Sequence, residues 1–229
     1  MSLAFDLFWS FRSPYSYIVL PRVLDLRERF DVSVSLRIVH PAAIRNPAYF
    51  TRMDRLARPY FLLDTARAAA FHGLTFRRPR PDPVVQDPST LAIAPEQPLA
   101  RWLGRLGIAA VASGRGLEFC REVAKLLWDG QTDGWNRGQH LSEATRRAGL
   151  VLSELQARID ADPEGHERQL EANDALLRKA GHWGVPTMVF NGEPFFGQDR
   201  FEVLRWRLGQ HGLRARALAN RESRAGKPV

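Results

Sequence analysis

Residues able to do chemistry are sparse in this chain, with one cysteine, Cys120, and six histidines. A lone cysteine closes no internal disulfide, and the histidines are too scattered to join it in a zinc site. Disulfide scaffolds, structural zinc sites and two-cysteine redox enzymes are therefore excluded. Cys120 itself, within FCREVAKLLW, falls at helical spacing and reads as a small core residue. No GxGxxG or phosphate-binding loop supports a nucleotide cofactor. The pair Ser13-Pro14 reads as a helix start, because proline at the first helical position loses no needed hydrogen bond and serine before it can cap. Asp199 fits the start of a closing helix in the same way, and Asn46 before Pro47 reads as a turn residue. His40 and His182 read as core or surface histidines.

The elements that must position these residues follow from hydrophobic spacing. Residues 3–9 (LAFDLFW) form a short buried strand, and residues 15–30 carry apolar positions at helical spacing, with a kink expected at Pro21. Residues 32–39 alternate and are β-branched, a second strand; two strands joined through a helix make a parallel βαβ unit. From Pro47 to about Gly165 the pattern becomes helical, with segments at 50–72, 95–112, 116–128, 138–148 and 152–161 around a Pro-rich extended loop at 76–89. A helix at 166–180, strands at 185–190 and 195–197 joined through Asn-Gly, and a helix at 199–210 complete the folded part. The expected class is α/β, in the thioredoxin order β-α-β then α-β-β-α. A discontinuous domain (1–46 and 165–213) flanks a helical insertion (47–164), and 214–229 forms a basic, disordered tail.

Composition narrows the class further. The 229 residues are 45% hydrophobic, ordinary for a globular chain with a real core. No apolar run approaches the roughly 18 residues of a membrane span, and MSLAFDLFWS lacks the pattern of a secretory signal, so a soluble cytoplasmic protein is expected. The net charge of +8 comes almost wholly from arginine, since only Lys125, Lys179 and Lys227 are lysines. That bias is spread along the chain, and no nucleic-acid reading motif accompanies it. It suits the steering of anionic small molecules instead.

Three blocks give the chain a resemblance: WSFRSPYSYI at 9–18, YFLLDTARAAAFHGLTFRRP at 60–79 and GHWGVPTMVFNGEPFFGQDRFEVL at 181–204. Together they resemble the DsbA-like thioredoxin-fold branch that contains 2-hydroxychromene-2-carboxylate isomerases and kappa-class glutathione transferases. The resemblance implies that Ser13 stands where disulfide oxidoreductases of this fold carry Cys-x-x-Cys. There its hydroxyl would hydrogen-bond the thiolate of bound glutathione and lower that thiol's pKa, aided by the helix N-terminus. It implies a cis Val185-Pro186 bond, with the Val185 backbone holding the cysteinyl part of glutathione in a strand-like contact. It implies that Gly197, Gln198 and Asp199 anchor the γ-glutamyl end, with Gln198 standing where relatives often carry Ser or Asn, and that Asn46 adds a polar contact. Arg45 and Arg52 fall near positions where the isomerases carry a basic residue facing an aromatic α-keto carboxylate. The loop at 80–90 stands where relatives have a shorter segment.

The implied activity is a glutathione-dependent isomerase acting on an unsaturated aromatic pyruvate or its cyclic hemiketal, in a cytoplasmic homodimer, with no metal, nucleic acid or membrane partner. A kappa-type glutathione transferase or peroxidase would use the same residues and consume glutathione. A non-catalytic DsbA-like binding protein would use the cis-proline edge for a peptide or partner.

Overall fold

The computed structural model describes residues 3–216. Its elements run β1 (Leu3–Trp9), α1 (Pro14–Arg29), β2 (Val32–Ile38), α2 (Ala42–Arg45), α3 (Ala48–Thr51), α4 (Ala57–Phe71), α5 (Pro98–Ala112), α6 (Gly116–Trp128), α7 (His140–Arg147), α8 (Leu152–Ala161), α9 (Pro163–Lys179), β3 (Thr187–Phe190), β4 (Glu193–Phe196) and α10 (Phe201–Gln210). The sheet order is β2-β1-β3-β4, with β1 parallel to β2 and antiparallel to β3, and β4 hairpinned onto β3.

Period-two alternation along β1 divides the interior. Phe5, Leu7 and Trp9 enter the main core with residues of α1, α5 and α6, while Phe8 turns to the other face against Val39 and Leu177 of α9. Burying each such side chain contributes about 1.5–3 kcal/mol, so β1 is pinned from both sides at the end that leads into Ser13. Trp9 and Trp128 also satisfy their indole N–H groups there, donating to the carbonyls of Ser16 and Phe11 (3.0 and 2.9 Å). Cys120 is fully buried, as its spacing predicts, and burial raises its thiol pKa.

Several boundaries differ from expectation for identifiable reasons. The helix read at 50–72 is two, α3 and α4. Asp54 accepts the Leu56 N–H (2.8 Å) in a local turn, and Pro59, which has no N–H to donate, sits in the first turn of α4. Helix α9 starts three residues early because Asp162 caps it, accepting from Gly165 N–H (2.8 Å), with Pro163 at its first position. α1 runs through Pro21 as one helix. The hairpin turn is two residues, Asn191 and Gly192, both at positive φ (51° and 81°), which extends β4 back to Glu193. Part of the expected tail is ordered: Arg214 O accepts from Asp31 N–H and Arg216 N–H donates to Arg29 O, both at 2.8 Å. The remainder, 217–229, lies outside the described residues.

Gly197 opens the closing helix with φ 102° and ψ 155°, a backbone region open essentially to glycine, and a methyl there would run into Asp199 Oδ1. Gly197→Ala is expected to cost about 1–3 kcal/mol in urea unfolding. Gly209→Ala, in the last turn of α10 with nothing near its Cβ, should add about 0.4–1 kcal/mol by reducing the freedom of the unfolded chain.

Candidate active site

β1 ends at Trp9, a turn follows, and α1 begins with Ser13 at its N-cap. The Ser13 Oγ accepts the Ser16 N–H (3.2 Å) and donates its proton to the Val185 carbonyl (3.1 Å). Ser16 and Tyr17 N–H both return to Ser13 O, and Pro14 has no N–H to offer. Among the described residues the Tyr15 N–H has no partner, and it is the donor left at the positive end of α1. Across the gap the Val185-Pro186 bond is cis. Val185 N–H likewise has no hydrogen-bond partner among the described residues. The hydroxyl, two unspent N–H groups and the Val185 carbonyl thus converge where β1, α1 and β3 meet. Position 16 carries a second serine and Cys120 is buried in α6, so no thiol of the chain reaches this place.

Beside it opens a cavity of about 330 Å³. Its floor is Ser10, Ser13, Pro14 and Val185, and its walls come from the Pro41–Arg45 segment, α3, α4 and the Pro-rich loop. One wall is an aromatic series: Tyr49 against Trp183 (4.8 Å between centroids), Trp183 beside His182 (6.0 Å), and His182 stacked on Phe196 (3.9 Å). Gly184 N–H donates to His182 Nδ1 (2.9 Å), which puts the proton of the neutral ring on Nε2, and burial lowers the pKa of that ring. Tyr15 donates to Asp64, and burial together with that carboxylate raises its pKa far above ordinary tyrosine. Tyr15 is therefore a neutral fixture, unsuited to act as a base. Ser10, 1% exposed, has no partner for its Oγ among the described residues.

Four arginines line the cavity: Arg12, Arg45, Arg58 and Arg78. Arg12 grips Asp82 of the Pro-rich loop through two parallel hydrogen bonds (2.9 and 2.8 Å), and Arg78 adds a third (2.8 Å). Burial would raise the Asp82 pKa, but Arg12, the Val84 N–H and Arg78 together hold it below its ordinary value. The distal part of that loop closes on itself. Gln97 accepts from Val85 N–H and donates to the carbonyls of Val85 and Ala94, all at 2.8 Å, pinching the segment between them into a closed loop. Gln86 and Leu91, inside the pinch, reach the cavity.

The expected site residues divide into groups. Ser13 and Val185 come together, with Pro186 fixing the second. Arg45 lines the cavity but its side chain is only 6% exposed and is occupied with Asp174 (2.5 Å) and the carbonyls of His40 and Trp183 (2.6 and 2.8 Å). Burial lowers its pKa against the pull of Asp174. Arg52 and Asn46 are exposed and stand outside the cavity lining. Gly197, Gln198 and Asp199, which follow Phe196 in the chain, also lie outside that lining. Gln198 spends its side-chain oxygen on Arg22 (2.6 Å) and His72 (3.1 Å). Asp199 sits in a 3₁₀ turn (Gln198–Arg200) and makes no capping bond, contrary to the helix-start expectation, because Gly197 turns the chain first. Its carboxylate is exposed, 3.6 Å from Arg200 and near enough to Tyr15 to raise that hydroxyl's pKa. His40 is buried behind the cavity, 2.7 Å from Glu167, and burial lowers its pKa. Sequence reading missed Arg12, Arg58, Arg78 and Tyr49, while Trp183, expected beside the ligand as a fluorescence reporter, lines the cavity. The arginines were indistinguishable among so many, and Tyr49 belongs to a short segment without periodicity. No three His, Cys, Asp or Glu residues among those described are grouped to hold a metal, and no described helix is long and apolar enough to cross a membrane.

Comparison with known proteins agrees with this geometry at the level of fold. No curated protein sequence matches the chain. Among solved structures it is similar to a 2-hydroxychromene-2-carboxylate isomerase, with TM-score 0.68 and 15% identity over 91% of this chain and 96% of that one. It is also similar to a probable DsbA oxidoreductase from Streptomyces coelicolor (TM-score 0.63, 18% identity, 91% and 89% covered). A third is the cytosolic disulfide reductase DsbM from Pseudomonas aeruginosa solved with GSH (TM-score 0.59, 14% identity, 91% and 98% covered). A family model for the DSBA-like thioredoxin domain matches residues 4–209, and the chain belongs to that family.

Proposed function

We propose that this protein is a glutathione-dependent isomerase of the 2-hydroxychromene-2-carboxylate isomerase type, acting on an unsaturated aromatic pyruvate or its cyclic hemiketal. The observation that carries the reading is the Ser13 hydroxyl at the N-terminus of α1, 3.1 Å from the carbonyl before the cis proline. It faces an aromatic cavity walled by arginines and lacking any thiol of the chain. Glutathione, when bound, supplies a thiol that adds to the unsaturated carbon and leaves after bond rotation, so none is consumed.

The residues present fit such a guest. The Ser13 O–H can turn from the Val185 carbonyl to a sulfur while its lone pair keeps the Ser16 N–H. The Tyr15 N–H adds a second donor at the positive helix end, and donors of this kind hold an anionic sulfur in its charged form. Val185 N–H lacks a partner among the described residues, and its C=O is released when the Ser13 hydroxyl turns away, so both can pair with an extended peptide backbone. Asp199 offers an exposed carboxylate for an ammonium group, whereas Gln198 is already held by Arg22 and His72. The similarity to an isomerase and to a reductase solved with GSH supports this reading. The loss of both cysteines from the 13–16 motif argues against dithiol exchange. With the reading goes the expectation of a cytoplasmic homodimer, to be checked by light scattering on the purified chain.

The test is a titration with reduced glutathione, followed by calorimetry and tryptophan fluorescence. Trp183 is the reporter, because it lines the cavity while Trp9 is fully buried. Saturable binding with a thiolate absorbance near neutral pH is the expected result. No binding at millimolar glutathione would overturn the proposal. Turnover of an aromatic pyruvate with net loss of glutathione would favour the kappa-type transferase instead.

A further inference from the structure

The cavity carries more positive charge than its neighbours neutralise, and the excess sits in one place. Arg45 is matched by Asp174, and Arg12 has its fork filled by Asp82. Arg78 gives Asp82 a single nitrogen, and Arg58 gives one to the Pro88 carbonyl at 3.2 Å. The other nitrogens of both guanidinium groups donate to nothing among the described residues. Both line the same cavity; burial and then Arg12 lower the Arg78 pKa, Asp82 opposes them, and Arg58 adds a smaller push downward. Two partly exposed guanidinium groups with unspent donors on a largely apolar wall favour an anion that completes them. No acidic side chain lines the cavity.

We propose that Arg58 and Arg78 form the anion seat of this cavity and select, as second substrate, a flat apolar acid whose carboxylate they hold while its body lies along Tyr49, Trp183 and Phe196. This rests on the reading of the cavity as the second-substrate site, but it assigns recognition to residues other than Arg45 and Arg52. Arg12 is a positioning residue: by gripping Asp82 it sets the loop segment from which Arg78 projects. Asp82 occupies one Arg78 nitrogen and leaves an edge of its fork for a two-point contact with a carboxylate.

The probes are 2-naphthoate and its uncharged counterpart 2-naphthamide, titrated into the full chain without glutathione and followed by Trp183 fluorescence and calorimetry. The expected result is that 2-naphthoate binds more tightly than the amide. Arg58→Met and Arg78→Met should each weaken 2-naphthoate about tenfold, the loss of one charge-assisted contact, and leave the amide unchanged. Both variants should fold, since Arg12 alone still holds Asp82; the unchanged amide affinity checks this. Equal binding of the two compounds, 2-naphthoate affinity retained in the double variant, or binding of neither compound would overturn the proposal. Ser13→Ala should leave 2-naphthoate binding intact. If glutathione fails to bind while the dependence on Arg58 and Arg78 persists, the thiol reading falls and the anion seat stands.

Discussion

Ser13→Ala should lower glutathione-dependent turnover by about two to three orders of magnitude, the usual loss when one preorganised donor to a developing or stored anion is removed. The substitution takes away a hydroxyl that stands between the Ser16 N–H and the Val185 carbonyl, so two effects must be separated. As a helix cap Ser13 is worth about 1 kcal/mol, a loss that thermal unfolding reads directly. As donor to a bound thiol it should shift the pH profile of turnover: without it the sulfur's pKa rises, and the rate at pH 7 falls more than the rate at pH 9. Ser13→Thr keeps both the cap and the donor and should recover most of the activity. Activity that falls in step with stability, with an unshifted pH profile, would reduce Ser13 to a cap.

The largest expected loss of stability belongs to Asp174→Ala. Arg45 is 6% exposed beside an Asp174 that is 18% exposed. Removing the carboxylate strands a guanidinium that already has one buried nitrogen without a partner. Breaking a buried pair from one side costs about 3–5 kcal/mol; the bonds from Arg45 to the His40 and Trp183 carbonyls remain and hold the cost near the lower figure. For a domain of this size each kcal/mol moves the Tm by about 2–4 °C, so calorimetry should show a drop of roughly 6–12 °C. Arg45→Met should be milder, because Asp174 keeps Arg178 at 2.8 Å and a methylene chain refills the space. A milder effect for Asp174→Ala than for Arg45→Met would mean that Arg45 contributes by packing rather than by charge. Arg45 itself anchors the Trp183 carbonyl, so the aromatic wall should loosen in Arg45→Met.

How much of this was legible depended on whether the signal was local. The βαβ opening and the Asn-Gly hairpin were readable because alternation, capping and turn chemistry act between near neighbours. So was the pairing of Ser13 with Val185, through motif blocks whose spacing along the chain stands for a known spatial arrangement. Asp162-Pro163 was an equally local start signal, overlooked beside the Gly that follows it. The cavity walls were another matter. Arg12 meets Asp82 and Arg45 meets Asp174 across 70 and 129 positions, and no periodicity announces either. Arg45 lines the cavity, but burial and Asp174 turn it to a structural task. Arg52 and Asn46 depended on how the 46–56 segment folds, and Asp54 and Pro59 broke the single helix expected there.

The closed loop under Gln97 has a practical meaning for anyone wishing to alter this protein. Its ends are clasped by one side chain, Gln86 and Leu91 reach the cavity, the Pro88 carbonyl accepts from Arg58, and Ile93 packs beside Ala43 and Phe50. It invites use as a cassette: residues 86–92 exchanged for other compositions while Val85, Ile93, Ala94 and Gln97 keep the clasp and its packing. Neither Ser13 nor the sheet that carries it would register the change. Selection on a library confined to those seven positions could retune which compound is accepted without re-solving the fold.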